Sequence, residues 1–137
     1  MRKVVLLILL IIISIYSKGQ LLQIGKTREE IKSVFREKMP IYIYQGENYT
    51  DNGVSYISFE TPHSDAAASY YFTDNGICYS LLIIREKKYL SNAIQTMNQN
   101  NKKLDNLTWI NESGTILYQI EIRSSIDMFG LTANLIK

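Results

Sequence analysis

Apolar side chains recur along the chain with two different spacings, and the change from one to the other marks the elements. Thr27-Arg28-Glu29-Glu30 has the form of a capping box, in which the Thr27 hydroxyl accepts from the Glu30 backbone N–H and the Glu30 carboxylate reaches back. Ile31, Val34 and Phe35 follow at i, i+3 and i+4, so a helix with one apolar stripe is predicted, with Lys32, Arg36 and Glu37 facing water. Pro40 stops it by denying the helix a backbone donor.

From Ile41 onward the chain turns to β-branched and aromatic residues interrupted by glycine turns, predicting strands over 41–45, 54–60, 68–73 and 77–85. Two of the turns share a tetrapeptide, Thr50-Asp51-Asn52-Gly53 and Thr73-Asp74-Asn75-Gly76. Asn-Gly tolerates positive φ at both central residues, so each is read as a tight hairpin. A second helix is expected from 89 to about 102, with Leu90, Ala93, Ile94 and Met97 on one face and a weakly helical, fraying end over 98–103. Strands resume at 107–111, turn at Glu112-Ser113-Gly114, and continue over 115–124, where Ile116, Tyr118, Ile120 and Ile122 alternate with Leu117, Gln119, Glu121 and Arg123. Residues 128–136 supply a last strand.

This order of helix, strands, helix, strands predicts an α+β fold: an antiparallel sheet with two helices packed on one face. It also admits a reading as two tandem helix-plus-hairpin units.

The first nineteen residues stand apart. Arg2 and Lys3 precede an apolar run from Val4 to Tyr16, broken only by Ser14, and Ser17-Lys18-Gly19-Gln20 then turns polar. Thirteen residues fall short of the roughly 20 a membrane-spanning helix needs, so residues 1–19 are read as a signal peptide cut before Gln20, with Ser17 and Gly19 at −3 and −1. A single α+β domain over 20–137 remains. It is expected in the periplasm or medium, with no stable membrane anchor.

Export changes the charge balance. Loss of Arg2, Lys3 and Lys18 takes the fifteen basic residues to twelve against thirteen acidic ones, a net charge of −1, which argues against nucleic acid as a partner. With Cys78 the only cysteine, no internal disulfide can form and no thiol lies near the junction for lipidation. Cys78, among Ile77, Tyr79 and Leu81, is read as a buried small hydrophobe.

The opening Ile24-Gly25-Lys26-Thr27-Arg28-Glu29-Glu30-Ile31, with Phe35 and Pro40, resembles that of SmpA/OmlA-type envelope proteins and the similar β-lactamase-inhibitor-protein-like domains. The resemblance covers under twenty residues, and the chain departs from it in lacking a lipidation cysteine and in carrying Lys38-Met39-Pro40 where Gly-x-Pro is common. It implies a binding or assembly role in the envelope and carries over no functional residue.

Sequence chemistry points the same way. Glu60-Thr61-Pro62-His63-Ser64-Asp65 holds the only histidine beside a serine and two carboxylates, which keeps open a small exported hydrolase using His63 with Ser64, Asp65 or Glu60. Neighbours on one loop seldom converge as a nucleophile, base and orienting acid must, so no catalytic residue is assigned. One His and one Cys make no structural zinc set, and no glycine-rich phosphate loop is present, so neither metal nor cofactor is expected. Asn48-Tyr49-Thr50, Asn106-Leu107-Thr108 and Asn111-Glu112-Ser113 have the form of glycan acceptors and are read as incidental in an Asn-rich chain. Nine tyrosines follow the signal segment. Tyr42, Tyr44, Tyr56, Tyr70 and Tyr118 are the candidates for a tyrosine-rich sheet face, since a rigid ring offers contact area at small entropic cost. The leading expectation is an exported, non-enzymatic binding or envelope-assembly module whose partner is another envelope or secreted protein.

Overall fold

The computed structural model describes residues 21–136. The expected signal peptide, 1–19, and Gln20 lie outside the described residues.

Helix α1 spans Arg28–Lys38 and opens as its sequence requires. Glu30 N–H donates to Thr27 Oγ1 at 3.3 Å, and Thr27 N–H donates to Glu30 Oε2 at 2.8 Å. The helix ends one residue short of Met39, which leaves helical geometry because it precedes Pro40. A four-strand meander follows: β1 Ile43–Tyr49, β2 Ser55–Glu60, β3 Ala66–Phe72 and β4 Cys78–Glu86. A short 3-10 turn over Lys87–Tyr89 leads into α2, Leu90–Asn100, and a second meander: β5 Lys102–Asp105, β6 Thr108–Ile110, β7 Ile116–Arg123 and β8 Met128–Leu135.

All eight strands form one antiparallel sheet in the order β1-β2-β3-β4-β8-β7-β6-β5. A helix followed by four strands therefore occurs twice, and the halves meet through their last strands, where Ile83 faces Leu131 in the β4–β8 ladder. The unit is larger than helix plus hairpin. Both Thr-Asp-Asn-Gly turns fall in the first half, so their repetition does not mark the larger one.

Ladder register carries one face across the whole sheet. Ile57, Tyr70, Leu81, Ala133, Tyr118 and Trp109 lie side by side on six successive strands, all buried. Phe59, Ala68, Ile83, Leu131 and Ile120 form a second buried row. Phe35 of α1 stacks on Phe59 with centroids 3.7 Å apart and meets Tyr70 edge-on at 5.8 Å. In the other half the Trp109 indole N–H donates to Asn98 Oδ1 of α2 at 2.9 Å, giving that buried ring its one polar partner. Arg28 ties α1 to the first three strands: Nε donates to Glu47 at 3.0 Å, an Nη donates to Ser55, and the guanidinium lies 4.2 Å from the centroid of Phe72.

Three local expectations change. Residues 102–105 are a strand, not a fraying helix end. All four side chains are exposed, so they show no alternation, and the strand exists through its pairing with β6; lysines suit such an edge. Strand β1 continues past Gln45 to Tyr49 because a bulge at Gly46, φ 106°, resets its register. Finally, Asn52 and Asn75 keep negative φ, and only Gly53 (φ 80°) and Gly76 (φ 79°) are left-handed. Gly53 N–H donates to Thr50 O and Gly76 N–H to Thr73 O, each at 2.9 Å, the pattern of a type I turn closed by a left-handed glycine. The threonines favour it, their hydroxyls accepting from Val54 N–H (3.1 Å) and Ile77 N–H (3.3 Å).

Gly53→Val and Gly76→Val each place a β-branched side chain at positive φ and are expected to lose about 1–3 kcal/mol. Gly76 carries the larger loss, since a Cβ there comes within 3.3 Å of Arg28 Nη1. Chemical denaturation measures this, and both variants within about 0.5 kcal/mol of wild type would contradict the turn assignment.

Candidate functional site

The five candidate tyrosines do not share a surface. Tyr70 is fully buried and Tyr118 nearly so, both on the covered face, because each pairs across the ladder with other core residues. The Tyr70 hydroxyl is satisfied internally, donating to Leu21 O at 2.8 Å. Tyr44 is exposed near the β1 edge, tilted against Phe59 at 5.5 Å, with the Lys32 ammonium 5.1 Å from its ring centroid. Tyr42 is half-buried beside Phe35. Of the five, only Tyr56 lies on the opposite face, where it meets Tyr71 at 5.3 Å.

His63, Ser64 and Asp65 sit exposed on the β2–β3 connection. The Asp65 carboxylate accepts from the Thr61 hydroxyl, and this bond holds its pKa below the usual carboxylate range. Among the described residues no hydrogen bond joins His63 to Ser64, Asp65 or Glu60. The described residues also contain no group of three or more His, Cys, Asp or Glu placed to hold a metal, and no helix long and apolar enough to cross a membrane.

What the residues do build is a cleft of about 390 Å³ over the β4–β8 seam. Its floor is Ile83 and Leu131, facing each other across the ladder, with Phe129 one pleat along. One wall is α2, through Ala93, Met97, Asn92 and Thr96; the other comes from Leu21, Leu22, Met39 and Tyr42, the segments flanking α1. Leu22 and Leu21 lie here because the lead chain is pinned further on, where Gly25 and Lys26 exchange backbone hydrogen bonds with Cys78.

Arg85 is the one charged side chain lining this cleft among the described residues. Strand alternation puts it there: Leu81, Ile83 and Arg85 fall on one face at i, i+2 and i+4, and Arg85 pairs with buried Ala66 and Phe129. Its guanidinium lies over the Tyr89 ring at 4.3 Å from the centroid. Nε is buried and has no hydrogen-bond partner among the described residues. The adjacent carboxylate, Glu86, is bound to Lys88 at 3.6 Å. Burial raises the pKa of Tyr42, against the pull of the Arg85 charge, so a neutral phenol also faces the cleft at ordinary pH.

Arg85 is the last residue of the strand predicted over 77–85, with no role assigned to it from sequence. The signal was there: a cation on the same alternation as Leu81 and Ile83 has to stand on the apolar face.

No protein-family model, curated protein or solved structure matches the chain.

Cys78, at the start of β4, lies fully buried in the core, and burial pushes its thiol up to about 11 from an ordinary value of 9.0. The unfolded chain therefore releases this proton before the native one does. The stability it contributes is complete below about pH 9 and is lost as pH rises through about 11. Tyr70, also raised by burial, adds to the decline. Denaturant midpoints at pH 8.5 and 10.5 should fall less for Cys78→Ala than for wild type; equal declines would contradict the assignment.

Proposed function

We propose that the chain is an exported, non-enzymatic binding module that receives a small, largely apolar ligand in the cleft over the β4–β8 seam. Both helices lie over the same sheet face in this reading, and the space between them is the site. The observation that carries it is the cleft itself: about 390 Å³, with an apolar floor and a few converging polar groups. That is the construction and size range, roughly 300–1,000 Å³, of small-molecule sites in general. Export rests on the first nineteen residues, and the SmpA/OmlA-like opening is consistent with a place in the envelope. A second reading, docking of an envelope or secreted protein on the opposite sheet face, draws on the Tyr56–Tyr71 pair and on half-buried Leu82 and Ile84 further along the same face.

Ala93, on the α2 wall, offers the direct test. The purified protein should enhance the fluorescence of an anilinonaphthalene dye saturably and at one site. Ala93→Trp, which fills the cleft, should weaken that binding by roughly tenfold or more while the domain stays folded, overpacking of this kind typically costing about 1–3 kcal/mol. Dye binding unchanged in the variant would contradict the site. For export, intact mass of the mature protein should begin at Gln20, and Met1 retained in a membrane pellet would contradict a cleaved signal.

A further inference from the structure

Building on that reading, we infer that the cleft selects a monoanionic amphiphile, an apolar body ending in a single carboxylate, and that Arg85 is the residue that receives the head group. Three observations converge. Among the described residues the cleft has one charged lining residue, so these balance one negative charge. The buried Nε of that residue has no partner among the described residues, although a buried N–H is ordinarily hydrogen-bonded. The guanidinium is planar, and two parallel N–H donors along one of its edges match the two oxygens of a carboxylate.

The layout fits a molecule with two unlike ends. Arg85 pairs with Phe129 at one end of the floor, and the Ile83–Leu131 pair lies two residues further along the ladder, roughly 7 Å away. Tyr89 lies against the guanidinium, its ring centroid 4.3 Å from Arg85 Cζ. Tyr42 supplies a phenol to the same cleft. Other charges nearby do not compete for the donor: Asp65, whose charge reaches Tyr42, is exposed and held by Thr61, and Glu86 is held by Lys88.

Calorimetric titration of the full-length protein with octanoate, 1-octanol and octylammonium tests the assignment. Octanoate should bind at least roughly tenfold more tightly than octanol, the scale of a hydrogen-bonded charge, and octylammonium should bind most weakly. Arg85→Met keeps the length of the stem and should bring octanoate down to the affinity of octanol while leaving octanol unchanged. Equal binding of octanoate and octanol by wild type would overturn the carboxylate assignment while leaving an apolar cleft, as would a preference for octanoate that survives in Arg85→Met. Binding of none of the three would overturn the binding reading together with it. The comparison of ligands on wild type stands whether or not the variant folds.

Discussion

Pairing of β4 with β8 joins two meanders that are each four strands wide, and every larger feature of the domain depends on it. A four-strand sheet with one short helix buries little apolar surface, whereas joining the halves makes a continuous covered face from Ile57 to Trp109. With no disulfide available, this shared core must offset the conformational entropy of the whole chain. The pairing also sets which residues meet at the centre. It places Ile83 opposite Leu131 and Arg85 opposite Phe129, so the seam that holds the halves together also floors the cleft.

Within that seam Arg85 runs against the rule that covered faces are apolar. An unsatisfied buried donor costs about 1–3 kcal/mol, against a total stability of roughly 5–15 kcal/mol for a domain of this kind. The Tyr89 ring returns part of it, on the order of 0.5–2 kcal/mol for a cation over an aromatic face. A methionine there would stabilise the fold by simpler means. The proposed selectivity would offset this cost when the guanidinium receives a carboxylate.

How much of this was legible in the sequence follows from the range over which each feature is decided. The capping box at Thr27, the stop before Pro40 and the alternation from Ile116 to Ile122 are local, and each element appears where its residues place it. Turn positions were legible for the same reason, though their geometry was not: threonine hydroxyls at positions 50 and 73 favour a type I turn with the left-handed residue confined to glycine. Strand β5 was illegible because Lys102–Asp105 carries no buried side chain and takes its conformation from β6. Which tyrosines lie on the covered face is decided at longer range. Alternation shows that Tyr70 and Ala68 share a face with each other, but only non-local pairing with Leu81 and packing against Phe35 show that this face is covered. The cleft was hidden too, since its floor unites strands about fifty residues apart, yet Arg85 was visible as a charge in step with Leu81 and Ile83.

In the proposed function, ligand binding belongs to the covered face, over the seam, and not to the open face bearing Tyr56 and Tyr71. Backbone amide shifts in a two-dimensional ¹H–¹⁵N titration with octanoate test this most directly. Saturable changes are expected to cluster at Ile83, Arg85, Phe129 and Leu131 on the floor and at Tyr89, Ala93 and Met97 on the α2 side. Changes centred instead on Tyr56, Tyr71, Leu82 and Ile84, with the floor residues still, would contradict it.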